Sequence, residues 1–173
     1  MARRIAENRR DLRRSRAVIF VTVGTQLPFP RLVREMNRIA GQICEPVIAQ
    51  TCDDLADYQN LIVEPYMNSE RYSDVIEQAR VVVAHAGIGT VLAARQAQVP
   101  VILVPRRANL GEHRNDHQEG TVRQLLGRPG ITGVWDTAKL AELVKSDLPA
   151  PDTHSVSGPA LEGLVTTLRS YIG

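Results

Sequence analysis

Aromatic side chains make up only 4% of the 173 residues. So few rings argue against a stacking platform for single-stranded nucleic acid, and no nucleic-acid partner is expected. Cysteine is equally scarce. Cys44 and Cys52 lack metal-ligand spacing and have no His in register. No apolar stretch follows the N-terminal arginines to make a secretory signal, so reduced thiols and a cytoplasmic location are expected. No run approaches the roughly 18 uninterrupted apolar residues that a membrane-spanning helix requires. A Gly-Lys-Ser/Thr triplet is missing, which excludes a Walker phosphate loop. The dinucleotide fingerprint fails as well: Gly24-Thr25-Gln26-Leu27-Pro28 follows the first strand, and Gly87-Ile88-Gly89-Thr90-Val91-Leu92 lacks a third Gly. No carboxylate cluster suits a divalent cation, so neither a metal nor a cofactor is expected.

What is present has the make-up of an ordinary globular domain, 43% hydrophobic and 23% charged, with a net charge of +2. Charge is unevenly placed. Residues 1–16 hold seven arginines against Glu7 and Asp11. They read as a disordered basic leader, and the mildly acidic remainder, 17–173, reads as one α/β domain.

The stretch 81–118 organises that domain. Val81-Val82-Val83-Ala84 is short and wholly apolar, as a strand buried on both faces must be. His85 to Thr90 form a Gly-bearing turn, 91–98 has helix length, and 101–104 is a second buried strand. The result is one right-handed βαβ unit whose helix aims free N–H groups and a positive dipole end at the turn, a ready site for phosphate. Earlier strands are expected at 17–23, 46–51 and 61–63. Helices are expected after Pro28 and Pro30 and from Ser69, taken as the cap. Later elements are a helix over 115–126, a strand over 131–135 and a helix over 137–145. Residues 146–158 read as a linker before a terminal helix, 159–173. Alternating strands and helices predict a doubly wound, Rossmann-like parallel sheet. Ligands in such a sheet sit beyond the carboxyl ends of the strands, where Gly24-Thr25, Glu64-Pro65-Tyr66, His85 to Thr90 and the polar loop 106–118 converge. Arg106 and His113 in that loop suit charge-assisted bonds to a diphosphate. Glu112 and Asp116 read equally as helix caps or an acid/base pair, so no catalytic base is assigned.

Val21-Thr22-Val23-Gly24-Thr25, His85-Ala86-Gly87-Ile88-Gly89-Thr90, Val104-Pro105-Arg106-Arg107 and Gly111-Glu112-His113-Arg114-Asn115-Asp116-His117-Gln118 together resemble the glycosyltransferase family 28 C-terminal domain. More narrowly they are similar to the small, MurG-like donor-binding subunits of bacterial capsule and exopolysaccharide glycosyltransferases. The resemblance implies the C-terminal half of a glycosyltransferase B fold. It implies that His85, Gly87, Gly89 and Thr90 hold the donor's diphosphate, with Gly24 and Thr25 beside it. It places Tyr66 and Met67 at the base, and Asp116, His117 and Gln118 at the sugar. Many members carry a Glu for the ribose in the helix after the glycine loop, where this chain has Ala93 with Arg95 nearby. The implied activity is transfer from a UDP-sugar to a lipid-linked glycan acceptor in surface-polysaccharide synthesis. The alternative is a non-catalytic nucleotide-sugar-binding subunit that activates a partner. One half alone implies a membrane-anchored acceptor-binding subunit, which would hold this chain at the inner membrane. A homodimer is compatible with the sequence.

Overall fold

The computed structural model describes residues 18–54 and 57–151. The basic leader and the expected terminal helix lie outside them. Six parallel strands run in the order β3-β2-β1-β4-β5-β6: β1 (Val18–Thr22), β2 (Val47–Gln50), β3 (Ile62–Val63), β4 (Ala79–His85), β5 (Val101–Val104) and β6 (Ile131–Gly133). The α-helices among the described residues are α1 (Pro30–Ala40), α2 (Ser69–Gln78), α3 (Ile88–Gln96), α4 (His117–Leu125) and α5 (Leu140–Lys145).

Alternation along the central strands explains the layering. Ile19, Val21, Val81 and Val83 point to one face, against Leu32, Met36 and Ile39 of α1 and Leu140 and Val144 of α5. Phe20, Val82 and Ala84 point to the other, against α2, α3 and α4. Both faces are covered, as a doubly wound parallel sheet requires. The chain order moves outward from β1 in one direction and from β4 in the other. The crevice between the ends of β1 and β4 is therefore the topological switch point, where such sheets bind ligands.

Several boundaries differ from the sequence expectation for identifiable reasons. Asn68, not Ser69, caps α2: its side chain accepts from the Arg71 amide at 2.8 Å, and Ser69 becomes the first helical residue. The helix after the glycine turn starts at Ile88 rather than 91, because Gly87 already has the extended backbone of an N-cap. Ala79 follows α2 directly and opens β4, fully buried. The helix expected over 137–145 divides into a 3₁₀ turn (Thr137–Lys139) capped by Asp136 and the short α5.

Candidate functional site

A cleft of about 730 Å³ lies at the switch point. Its floor is the N-terminus of α3. The first bond of that helix runs from the Val91 N–H to the Gly87 carbonyl, 3.3 Å. The N–H groups of Ile88, Gly89 and Thr90 precede it and point out of the helix end. Gly89 is exposed and has no neighbouring atom within 4 Å of where a Cβ would stand, so its side of the helix end is uncrowded.

The two other glycines are explained by His85. A Cβ on Gly87 would fall 2.3 Å from the His85 Nε2, and one on Gly24 would fall 2.7 Å from its Cε1. Gly24 also has φ +83°, a backbone region that L side chains rarely adopt. The imidazole is thus slotted between two bare stretches of main chain. Its Nδ1 is buried and has no hydrogen-bond partner. Burial, reinforced by the charge of Arg106 and by His113, lowers its pKa to about 4 against an opposing hydrogen bond with the Thr22 backbone. At neutral pH His85 is therefore an uncharged ring whose single N–H serves either the Thr22 carbonyl or a ligand.

The lip formed after β1 is held by a short polar chain. The Gly24 amide donates to Thr22 Oγ1 at 3.2 Å, and that hydroxyl donates to Gln50 Oε1 at 2.6 Å. On the far wall Tyr72 Oη shares a 2.9 Å bond with Thr90 Oγ1. Burial raises the Tyr72 pKa, which keeps the phenol protonated.

The loop after β5 closes the remaining side. Gln118, buried on the first turn of α4, accepts the Arg106 amide on its Oε1 at 3.0 Å. That bond fixes the side chain with its NH₂ group as the remaining donor. His113 and His117 pack edge to face with ring centroids 4.5 Å apart. Burial, then the neighbouring His113, lowers the His117 pKa.

Of the residues expected at the site, Gly24, Thr25, Met67, His85, Gly87, Gly89, Thr90, Arg106, His113, His117 and Gln118 line this one cleft. Tyr66 and Asp116 do not. Tyr66 is 58% exposed outside the lining, and the Asp116 carboxylate accepts from the Ala108 amide at 2.7 Å without capping α4 by its side chain. The Arg106 guanidinium, expected to face an anion, donates instead to main-chain carbonyls. Glu112 accepts from Arg31 at 2.6 Å and from the Arg107 amide at 3.0 Å, so it is a structural anchor outside the lining. Ala93 and Arg95 also lie outside it. Sequence reasoning missed Gln50 and Tyr72. Gln50 had a signal, a polar residue ending the apolar strand Val47-Ile48-Ala49. Tyr72 sits on an apolar helix face and gave none. Among the described residues no Asp or Glu lines the cleft, and no group of three His, Cys, Asp or Glu could hold a metal ion. No described helix is long and apolar enough to cross a membrane.

Comparison with known proteins agrees with this architecture. MurG from Acinetobacter baumannii superposes with a TM-score of 0.57 at 18% identity, over 79% of this chain and 43% of that one. The glycosyltransferase SsfS6 of Streptomyces sp. SF2575, solved with thymidine diphosphate, gives 0.54 at 22% identity over 75% and 33%. The solution structure of ALG13 gives 0.56 at 17% identity over 87% of this chain and 95% of that one. The chain thus spans less than half the length of MurG and a third of SsfS6, and nearly all of ALG13. These likenesses establish the fold, that of one half of a glycosyltransferase B enzyme. No curated protein sequence matches. Residues 18–153 match the glycosyltransferase family 28 C-terminal domain, and the chain belongs to that family.

Proposed function

We propose that this chain is the donor-binding subunit of a glycosyltransferase that moves a sugar from a UDP-sugar to a lipid-linked acceptor in surface-polysaccharide synthesis. The observation that carries the reading is the α3 N-terminus, which opens with Gly87 and Gly89 onto a cleft at the switch point, opposite His113, His117 and Gln118. The amides of Ile88, Gly89 and Thr90 would receive the diphosphate, and neutral His85 would add one further N–H bond. These donors are fixed before the reaction begins. They would stabilise the charge that grows on the leaving diphosphate without reorganising. The Gln118 carboxamide, aligned through its Oε1, would orient the sugar hydroxyls.

The carboxylate-free lining supports a division of labour in which an acceptor-binding, membrane-anchored partner supplies the base. The same lining favours a second reading, a nucleotide-sugar-holding subunit that activates a partner's own chemistry. Calorimetric titration with UDP, GDP, TDP and their sugars tests donor binding. A transfer assay of the chain alone and with its partner separates the two readings. Gln118→Ala should abolish transfer by the assembled complex while leaving the fold intact. Full activity in that variant would overturn the assignment of Gln118.

A further inference from the structure

Two arginines join the wall after β1 to the wall after β5, and they point in opposite directions. Arg106, 3% exposed, reaches from the end of β5 to donate to the carbonyls of Val23 at 3.1 Å, Leu27 at 2.6 Å and Pro28 at 2.7 Å. Arg31, on the first turn of α1, reaches back to the Pro105 carbonyl at 2.9 Å and to both oxygens of Glu112 at 2.6 and 2.9 Å. Both guanidiniums lie over the buried ring of Phe29, Arg106 at 4.5 Å and Arg31 at 5.2 Å from its centroid. Three carbonyls on one planar fork demand fixed positions for all three peptide units. The amide of the same Arg106 fixes Gln118. A single residue therefore locates the Gly24 lip, the end of β5 and the first turn of α4 relative to one another.

We propose that Arg106 is a positioning residue rather than a phosphate ligand, and that Arg106, Arg31 and Glu112 form a clasp around Phe29 that sets the opening of the cleft. This rests on the nucleoside-diphosphate reading only for its ligand. Arg31 and Glu112 stand outside the cleft lining, so an effect of either on ligand affinity must pass through the clasp.

The test measures amide hydrogen exchange of residues 24–27 in the full chain, and UDP affinity by calorimetry, for Arg106→Lys and Glu112→Gln. Lysine keeps the charge but cannot span three carbonyls. A positioning role predicts loop exchange faster by about tenfold in Arg106→Lys and UDP affinity weaker by about tenfold, the loss of one hydrogen bond to a charged group. Glu112→Gln, isosteric and milder, should shift both by about threefold, as expected where a partly exposed ion pair is weakened. Wild-type exchange in both variants overturns the proposal, as does weakened UDP binding in Arg106→Lys without faster exchange. Faster exchange in both variants of a chain that does not bind UDP would support the clasp while removing the nucleotide assigned to the cleft.

Discussion

The two ends of the central sheet each carry an arginine that donates to main-chain carbonyls, and the pair behave differently. At the amino end Arg80, the second residue of β4, pairs with Glu45 at 2.5 and 2.8 Å and donates to the Val144 carbonyl at 2.8 Å. Charge is met by charge, and the end of α5 is tied to the sheet. At the carboxyl end Arg106 has carbonyls alone as acceptors, and burial together with its charge lowers the His85 pKa. The buried side-chain atoms without a hydrogen-bond partner among the described residues are His85 Nδ1, Arg107 Nε, His113 Nδ1 and Trp135 Nε1. His85 and His113 line the cleft, and Arg107 and Trp135 follow the ends of β5 and β6 outside its lining. Native interiors pair nearly all such groups, and exceptions gather where a ligand is handled. The unpartnered groups thus gather at one end of the sheet, the end where the cleft opens.

The most severe way to break that contrast is Gly87→Ala. The new methyl would stand 2.3 Å from His85 Nε2 and must expel the ring. Overpacking of this kind costs about 1–3 kcal/mol of stability. UDP affinity should fall about a hundredfold as well, with the slot and the helix end both disturbed. Adding His85→Ala to Gly87→Ala should restore the melting temperature but not the affinity. Recovery of both would show that the ring, not the helix end, is the only point at issue.

Acidification probes the same slot more gently. The folded chain holds His85 at about 4, below its ordinary 6.5. Below pH 6.5 the unfolded chain binds a proton that the folded chain refuses, so stability falls as the pH drops and levels off below about 4. Above 6.5 this group adds no slope. The loss is on the order of 3 kcal/mol at most. Urea unfolding between pH 7.5 and 4.5 should show a steeper slope in wild type than in His85→Asn, which keeps the smaller contribution of His117, and identical slopes would mean that the ring accepts a proton in place.

The same division governed what could be read from the sequence. Strand alternation and apolar runs are local properties, so the parallel sheet and the cleft-facing loops at Gly24, His85 and Gln118 were legible. The reason for Gly24 and Gly87 was not, because it lies in a ring contact between β1, β4 and the turn. The hydrogen bonds of Arg106 were hidden for the same reason. A basic residue in a loop beside a phosphate motif reads as a ligand, and only tertiary structure brings the carbonyls of Val23, Leu27 and Pro28 to it. Asn68 displaced Ser69 as a cap although the two are adjacent, since both side chains suit the role and the backbone decides.

The amino end offers a control of intermediate size. Arg80 and Glu45 are each about a third exposed, 29% and 36%, so removing the arginine should cost about 1–2 kcal/mol after screening. Arg80→Ala should lower the urea midpoint and leave UDP affinity within about twofold of wild type, on the order of 0.4 kcal/mol. An equal loss of affinity would mean that the two ends are coupled through β4.

Gly89 gives the smallest effect on stability and the sharpest separation of the two properties. It occupies the first turn of α3 and meets nothing within 4 Å at the Cβ position. Alanine is favoured over glycine in a helix by about 0.5–1 kcal/mol, chiefly through the entropy of the unfolded chain. Gly89→Ala should therefore raise the melting temperature slightly. Its methyl would nevertheless project into the space from which a phosphate must approach the main-chain N–H groups, and UDP affinity should fall about tenfold, roughly 1.4 kcal/mol. A variant that gains stability and loses binding would show that the glycine is retained for the ligand rather than for the fold. Unchanged affinity would place the diphosphate away from this helix end.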